Sequence, residues 1–203
     1  DFYPCIKDKT IKTSFDRHYV YHTAWAARKV KEINPEVHTD ISSSLYFSGI
    51  VSAFVLVDFY DYRPAHLKLS NIKSDSCDLN KLHFNDNSIT SLSCMHTVEH
   101  IGLGRYGDVI DPDGDVKACK ELSRVLGEGG YLIFVVPVGR PKIEYNAHRI
   151  YSYEQVIGLF PDLMVTEFSI VTDTAEQGDF IENANPQLVH TQKYACGCFV
   201  FKK

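Results

Sequence analysis

The order and spacing of a few short segments between Asp78 and Pro137 constrain the fold of this chain more than any other feature. Asp78 precedes a turn, and the apolar segment Ile89–Met95 ends in a polar cluster. A helix-like segment then stops near the pair Gly129 and Gly130, and a second apolar segment ends in proline. In an open α/β sheet, a ligand site forms at the carboxyl ends of such strands. The sequence therefore predicts a sheet with a ligand site at one edge.

Helix and strand patterns alternate over most of the chain. We predict helices over residues 16–33, 45–53, 115–126 and 152–160, and strands over residues 37–41, 54–59, 72–78, 89–95, 131–136, 164–170 and 195–201. The glycines at 127–130 are expected to give the third helix a left-handed end. Alternating strands and helices imply right-handed crossovers and a parallel sheet. The last two strands lack a helix between them and are expected to pair antiparallel, so the predicted fold class is α/β with one doubly wound, mostly parallel sheet.

Composition fits one ordinary globular domain. The chain has 203 residues, of which 44% are hydrophobic and 23% are charged, which is enough for a substantial core. We treat residues 1–203 as one domain, in which residues 1–35 form a helical cap and residues 36–203 the core. The formal net charge of −5 argues against a nucleic-acid partner, because phosphate contacts need a basic stripe. No apolar run approaches the about 20 residues of a membrane span, so we expect a small-molecule substrate and no membrane partner. The oligomeric state stays open.

The cysteines are scattered, which favours a reduced, cytoplasmic protein over a disulfide scaffold. They are Cys5, Cys77, Cys94, Cys119, Cys196 and Cys198. Cys196 and Cys198 are two residues apart and would share one face of a strand. We interpret them as buried thiols and expect no metal, because no nearby pair of histidines completes a ligand set.

Three acidic residues follow the three early predicted strands: Asp40, Asp61 and Asp78. An acid about 20 residues beyond the first strand is where a nucleotide ribose is held, because a carboxylate accepts from both hydroxyls. Asp61 has that spacing from Asp40, although Asp58 competes for the same role. Asp78 precedes a turn and is placed to accept from an adenine amino group.

Taken together, these segments resemble class I S-adenosylmethionine-dependent methyltransferases. The resemblance rests on the turn at residues 78–84, on Glu99 and His100 after a strand, and on residues 124–130 before the next strand. It covers residues 37–170. It implies a Rossmann-like sheet of seven strands with the last strand antiparallel, and S-adenosylmethionine as the cofactor.

The resemblance also implies site residues. It assigns Asp61 to the ribose of the cofactor and Asp78 to its adenine, and we add Leu79 and His96 to the cofactor-binding residues. A narrower subgroup shares the segments at residues 101–108 and 148–152, and it looks like bacterial proteins that are classed as a domain of unknown function.

The loop after the first predicted strand departs from that superfamily, which usually has a glycine-rich turn there. This chain has Asp40, Ile41, Ser42, Ser43 and Ser44 instead. Glycine allows positive φ and close backbone approach, whereas a serine at positive φ costs about 1 kcal/mol or more. We expect the hydroxyls of Ser42 and Ser43 to bind the carboxylate of the methionine moiety, and we count Asp40 as cofactor-binding.

Methyl transfer needs an acceptor placed in line with the sulfonium methyl group, and a hydroxyl acceptor gains from a general base. His96, His100 and His148 all follow predicted strand ends on the ligand side. We predict that His100 or His148 is the catalytic base. Arg149 and Tyr151, next to His148, suit a sugar or a phosphate group.

Two metal-based interpretations compete with this one. Residues 96–100 spell H-x-x-E-H, an inverted zinc-protease motif, but that motif needs a helix and this segment follows a strand directly. The acidic loop at residues 107–115 lacks the final glutamate of a calcium loop. A turn and a helix cap at Asp113 or Asp115 explain that loop.

The favoured hypothesis is a cytoplasmic S-adenosylmethionine-dependent methyltransferase acting on a small polar acceptor, such as a sugar or sugar nucleotide of surface-polysaccharide synthesis. It rests on family analogy. The second hypothesis is a non-catalytic domain of the same fold that serves as a binding or scaffold module, and the serines at residues 42–44 motivate it.

Overall fold

The computed structural model describes residue 4 and residues 10–203, so Cys5 and much of the start of the expected cap lie outside the described residues. The helices are α1 Arg17–Ile33, α2 Leu45–Val51, α3 Gly114–Val125 and α4 Tyr153–Leu159. The strands are β1 Val37–Ile41, β2 Leu56–Asp61, β3 Ile72–Ser76, β4 Ile89–Met95, β5 Leu126–Val138, β6 Lys142–Glu144, β7 His148–Ile150, β8 Met164–Val171, β9 Phe180–Ile181 and β10 Ala195–Lys202. Among the described residues, no helix combines the length and the apolar character that crossing a membrane would need.

Eight of these strands form one sheet in the order β3-β2-β1-β4-β5-β10-β8-β9. The pairs from β3 to β5 are parallel, and β10 runs antiparallel to both β5 and β8. The α/β class and the antiparallel last strand are therefore confirmed. The sheet has one strand more than expected, because the two residues of β9 pair with the end of β8.

Helices cover both faces of the sheet, which makes it doubly wound. On one face Trp25 of α1 and Phe47 of α2 are buried in one apolar cluster. On the other face Leu122 of α3 and Phe160 after α4 belong to a second cluster. Strand β5 contributes to both, because successive side chains of a strand point to opposite faces. Removing this apolar surface from water is the main stabilising term of the fold.

Helix α1 begins and ends within one residue of its predicted bounds. Asp16 is the N-cap, and its side chain accepts the backbone N–H of Tyr19 at 3.1 Å. Asn34 ends the helix in the left-handed conformation with φ of 52°. The N-cap residue Asp16 therefore fixes the start of α1. The start of this helix lies above the carboxyl edge of the sheet, which holds the candidate site.

Two details of the predicted elements are wrong. The strand predicted over residues 54–59 begins only at Leu56, because residues 52–54 form a turn after α2. Helix α3 does not end in a left-handed glycine: Leu126 is extended, and the chain enters β5 directly. An added hairpin of β6 and β7 was not predicted.

Candidate functional site

Two adjoining cavities open at the carboxyl edge of the parallel strands. The first, here called the strand-end cavity, has a volume of about 400 Å³, within the about 300–1,000 Å³ of small-molecule sites. The loops after β1, β2, β3 and β4 supply its lining, which includes Ser42, Asp61, Tyr62, Arg63, Cys77, Asp78, Leu79, Asn80, His96, Thr97, His100 and Tyr106. This is the edge at which open α/β sheets bind ligands.

Asp61 and Asp78 stand after neighbouring strands and both line the strand-end cavity. One oxygen of each carboxylate is held by its own loop: Asp61 Oδ1 accepts from Arg63 N–H at 2.7 Å, and Asp78 Oδ1 from Asn80 N–H at 2.9 Å. The other oxygen of each makes no hydrogen bond within the part of the chain that the structure describes, so it is available to a ligand donor. Asp58, the competing candidate, lies inside β2 and does not line the cavity.

The loop after β1 turns at Ser42, whose φ of 57° lies in the left-handed region. This conformation costs a serine about 1–2 kcal/mol, and three hydrogen bonds hold it. In one of them, Ser42 Oγ donates to Tyr60 O at 3.3 Å. Ser42 N–H donates to Tyr60 O at 2.7 Å, and Thr97 Oγ1 donates to Ser42 O at 3.0 Å. Ser42 thus adopts a conformation that glycine would adopt without strain, and it lines the strand-end cavity.

Asp40 and Ser43, which the sequence predicted as cofactor contacts, do not line that cavity. Asp40 is fully buried, and its Oδ1 accepts from Ser93 Oγ at 2.6 Å while Oδ2 accepts from Ser48 Oγ. Ser43 Oγ accepts the backbone N–H of Met95 at 3.2 Å. Burial raises the pKa of Asp40 to about 6. Both side chains therefore stabilise the loop from its buried side, away from the cavity.

The polar chain behind this loop continues to His38, a residue that the sequence did not single out. Because Ser93 Oγ donates to Asp40, it accepts from His38 Nε2 at 3.0 Å. His38 Nδ1 then accepts from Ser91 Oγ at 2.8 Å. Burial lowers the pKa of His38 to about 3, which agrees with the neutral ring that this pattern requires. The chain joins β1 to β4 beneath the cavity.

The second cavity, here called the cap cavity, lies under the start of α1 and has a volume of about 800 Å³. It shares His96, His100 and Tyr106 with the strand-end cavity. Its other lining residues are mostly polar or aromatic: Phe15, Asp16, Arg17, His18, Tyr19, Glu99, Arg105, His148, Asp173, Lys193 and Tyr194. Molecules in the two cavities would therefore be separated only by the shared side chains.

His100 and His148, the two predicted bases, both reach the cap cavity, but only His100 also lines the strand-end cavity. His100 Nδ1 lies 2.6 Å from Ala147 O and donates its hydrogen there, which leaves the lone pair on Nε2. His148 packs beside Tyr194, and burial lowers its pKa. The arrangement favours His100 as the residue that can accept a proton near both cavities.

His96 ends β4 in a left-handed conformation with φ of 53°. Its Nδ1 lies 2.9 Å from Glu99 Oε1, and its Nε2 lies 3.4 Å from Cys196 Sγ. Burial alone would lower the pKa of His96, but the neighbouring Cys196 and Glu99 raise it to about 10. The H-x-x-E-H segment is no α-helix, since only Val98–His100 forms a 3-10 turn. It therefore lacks the helix that the protease motif requires.

The acidic loop before α3 is held by its own hydrogen bonds. Asp108 Oδ2 accepts the backbone N–H of Gly102 at 2.8 Å and of Gly104 at 3.3 Å. Asp111 pairs with Lys117 at 2.5 Å. These contacts explain Asp108 and Asp111 as parts of a turn. Asp113 stands at the N-cap position of α3, but its side chain makes no capping hydrogen bond, and Asp115 accepts from Tyr151 instead, so the predicted side-chain cap is wrong.

Arg149 and Tyr151 are buried and line neither cavity, so their predicted role at a sugar or phosphate is wrong. Arg149 Nη1 donates to Ile101 O at 2.7 Å and Nη2 to Pro112 O at 3.2 Å. Tyr151 Oη donates to Asp115 Oδ2 at 2.9 Å. The same carboxylate oxygen lies 3.4 Å from Arg149 Nε. They tie the hairpin of β6 and β7 to the loop before α3.

The sequence did not single out the far rim of the cap cavity. Asp173 accepts the backbone N–H of Lys193 at 2.6 Å and of Tyr194 at 2.8 Å, which fixes that rim. Tyr194 stacks on His18 with ring centres 5.3 Å apart. The only sequence signal for these residues is the polar composition of the loop before β10.

The strand order and the position of the cavities define the class: this is the Rossmann-like fold of class I S-adenosylmethionine-dependent methyltransferases. The chain is similar to Burkholderia thailandensis 1,6-didemethyltoxoflavin-N1-methyltransferase, solved with 1,6-didemethyltoxoflavin and S-adenosylhomocysteine bound, at a TM-score of 0.61, 9% identity and coverage of 90% of this chain and 78% of that one. It is also similar to an S-adenosylmethionine-dependent methyltransferase from Mesorhizobium loti, at a TM-score of 0.57, 12% identity and coverage of 91% and 99%. A third similar chain comes from the Haloferax volcanii complex with the methyltransferase activator Trm112, at a TM-score of 0.60, 17% identity and coverage of 92% and 90%. At such identities the likeness shows the fold.

Within this fold, the chain belongs to the family described as Caenorhabditis protein of unknown function, DUF268, whose model matches residues 65–203. That stretch contains both segments, residues 101–108 and 148–152, that indicated a narrower subgroup. The expected bacterial character of the subgroup is not supported, because the family description refers to Caenorhabditis. No curated protein matches the chain in sequence.

Proposed function

We propose that this chain is an S-adenosylmethionine-dependent methyltransferase and that the strand-end cavity is its cofactor site. The observation that supports this most is the pair of Asp61 and Asp78. Each carboxylate is anchored through one oxygen to its own loop, and each keeps the other oxygen for a ligand in the same cavity. A cofactor with a ribose and an adenine amino group needs acceptors of this kind at neighbouring strand ends.

The side chains around this pair suit the rest of the cofactor. Asp61 would hold the ribose hydroxyls, Asp78 the adenine amino group, and the buried side chain of Leu79 one face of the adenine. Ser42 would hold the methionine end by turning its hydroxyl hydrogen away from Tyr60 O, which lies 3.3 Å from its Oγ. His96 lies in the wall toward the cap cavity. When bound, S-adenosylmethionine supplies an electrophilic methyl group.

The cap cavity is the acceptor site in this proposal, and a small polar molecule such as a sugar or sugar nucleotide is the acceptor we favour. Its lining supports that choice, because it contains both the rings of Tyr19 and Tyr194 and the charged groups of Arg105 and Lys193. His100 is the general base, since its Nε2 can accept a proton from an acceptor hydroxyl at the boundary of both cavities.

Titration calorimetry of the full chain with S-adenosylhomocysteine tests the cofactor site. Asp61→Asn removes a charged acceptor and should weaken binding by about 10- to 100-fold. Asp58→Asn is the matched control, because Asp58 lies on the same strand outside the cavity, and it should bind as the wild type does. Absence of binding at millimolar ligand would reject the enzyme and favour the non-catalytic domain that the serine loop suggested.

A further inference from the structure

Three side chains from distant parts of the chain meet beside the cap cavity. They are His18 of α1, His96 after β4 and Cys196 of β10, and their ligand atoms all lie within 4.8 Å of one another. Imidazole nitrogen and thiolate sulfur are the ligand types that Zn²⁺ prefers. His18 and His96 also line the cap cavity, which provides a path from solvent.

The orientation of His96 matches that of a metal ligand. Glu99 Oε1 lies 2.9 Å from Nδ1 and accepts its hydrogen, and Nε2 is directed at Cys196 Sγ, 3.4 Å away. Nε2 gives up its own proton when it binds the ion. A tetrahedral Zn²⁺ with its usual bond lengths to nitrogen and sulfur separates the two ligand atoms by about 3.6 Å. A carboxylate on the second ring nitrogen is the usual way in which proteins orient a metal-bound histidine.

Two buried polar atoms beside this trio support a cation there. Glu99 is 1% exposed, and its Oε2 has no hydrogen-bond partner among the described residues. His22, also 1% exposed, packs its ring 4.9 Å from that of His96, and its Nε2 likewise finds no partner in the described part of the chain. An unpaired carboxylate oxygen in such a place is costly, and a neighbouring cation reduces that cost.

We infer that His18, His96 and Cys196 bind a divalent transition-metal ion of the zinc type. Three protein ligands leave a tetrahedral ion one open position, which here faces the cap cavity because both histidines line it. That position would take an oxygen, nitrogen or sulfur atom of a small molecule. Cys196 releases its proton when it binds the ion. This site replaces the expectation from sequence that no metal is bound and that Cys196 is only a buried thiol.

The test uses the purified full chain, stripped with a chelator and reloaded with Zn²⁺ or Co²⁺. Elemental analysis should find one Zn²⁺ per chain, and Co²⁺ should give a thiolate-to-cobalt charge-transfer band. Cys196→Ser should abolish that band, and Glu99→Gln should weaken the affinity by about 10- to 100-fold. Cys198→Ser is the matched control, because Cys198 lies on the same face of β10 outside the trio, with its Sγ 3.9 Å from that of Cys196.

Either of two results would overturn the site: wild-type protein that binds no stoichiometric Zn²⁺, or equal losses in Cys198→Ser and Cys196→Ser. If Cys196→Ser does not fold, His18→Gln carries the test, because His18 lies in the first turn of α1 at the cavity rim. It should lower the Zn²⁺ affinity at least tenfold. Calorimetry with S-adenosylhomocysteine on the same samples is a separate readout, so loss of the metal site and failure of the cofactor proposal can be told apart.

Discussion

Ser42 and His96 show what single residues contribute to this site. Both are non-glycine residues with left-handed φ, 57° and 53°, and both line the strand-end cavity from loops that follow adjacent strands. Such conformations cost about 1–3 kcal/mol and persist where the surroundings hold them. The contacts of Thr97 with the Ser42 carbonyl and of Glu99 with the His96 ring do so here. Ser42 therefore adopts the turn conformation that a glycine would adopt, and it adds a hydroxyl group that a glycine lacks.

Gly102 illustrates the opposite case, a position that admits no side chain. Its φ is 79°, and a Cβ there would lie 2.1 Å from Asp111 O. Gly102→Ala should lower the free energy of unfolding by about 3 kcal/mol. Gly107→Ala is the control, because Gly107 has a φ of 85° but no atom within 4 Å of the added Cβ; it should cost about 1 kcal/mol. Urea denaturation measures both, and equal losses would contradict the close approach.

Asp40 gives the fold a pH dependence whose sign is defined. Burial raises its pKa from 3.8 to about 6, so protonation stabilises the folded state. This contribution is complete below about pH 4 and is lost as the pH rises through about 6. Relative to Asp40→Asn, the wild type should lose about 3 kcal/mol of unfolding free energy between about pH 4 and pH 8. Urea titrations across that range measure the difference, and a constant difference would refute the buried titration.

At the scale of elements, the two segments that mark the subgroup contact each other. Arg149, in the second segment, donates to Ile101 O at the start of the first, and His100 donates to Ala147 O. Asp108 of the first segment folds that loop back by accepting from Gly102 N–H. The hairpin of β6 and β7 is thereby locked onto the loop that carries the proposed base. The segments are thus best explained as one structural unit.

Arg149 is the residue on which this unit depends. Arg149→Met removes a buried cation that donates to two carbonyls and lies beside Asp115, so it should lower the free energy of unfolding by about 3 kcal/mol. Lys142→Met, in the same hairpin, removes an exposed ion pair with Glu144 and should leave the stability unchanged within error. Chemical denaturation of both variants checks this. Equal stabilities would show that the hairpin is not anchored through Arg149.

The elements could be predicted from sequence where burial imposes a pattern. The segment Ile89–Met95 is buried except at Thr90 and was predicted with the observed bounds. The hairpin of β6 and β7 was not predicted, because the residues of Lys142–Glu144 are all exposed and show no alternation of buried and exposed positions. The predicted end of α3 was wrong because Leu126 pairs with Ile89. The chain therefore enters β5 before it reaches the glycines.

At the scale of the whole molecule, α1 completes the site by being anchored near its start and at its middle. Near its start, Arg17 and Tyr21 bind Asp179 at 2.7 Å and 2.5 Å. Farther along, Trp25 Nε1 donates to Glu167 at 2.8 Å. These contacts fix the cap over the strand ends. They join residues about 140 to 160 positions apart, which no local pattern in the sequence reveals.

The same reason explains why the candidate site was predicted only in part. Asp61 and Asp78 follow strands, and a rule about strand ends places them at one edge. Cys196 was judged to lack nearby histidines, and that judgement was wrong because His18 and His96 reach it through the tertiary fold. Asp40 has the sequence position of a cofactor ligand, but Ser48 and Ser93 hold it behind the loop.

The position of the proposed cofactor site can be tested over the whole molecule by hydrogen exchange. S-adenosylhomocysteine should slow amide exchange in the four loops at the carboxyl edge, residues 42–44, 61–63, 77–81 and 96–100, because each of these loops contributes residues to the lining of the strand-end cavity. Residues 34–36 and 53–56 lie at the opposite end of β1 and β2 and serve as an internal control that should not change. Mass spectrometry of proteolytic peptides resolves both sets. Protection at the control segments, or none at the four loops, would mean that the ligand binds elsewhere and that the topology does not locate the site.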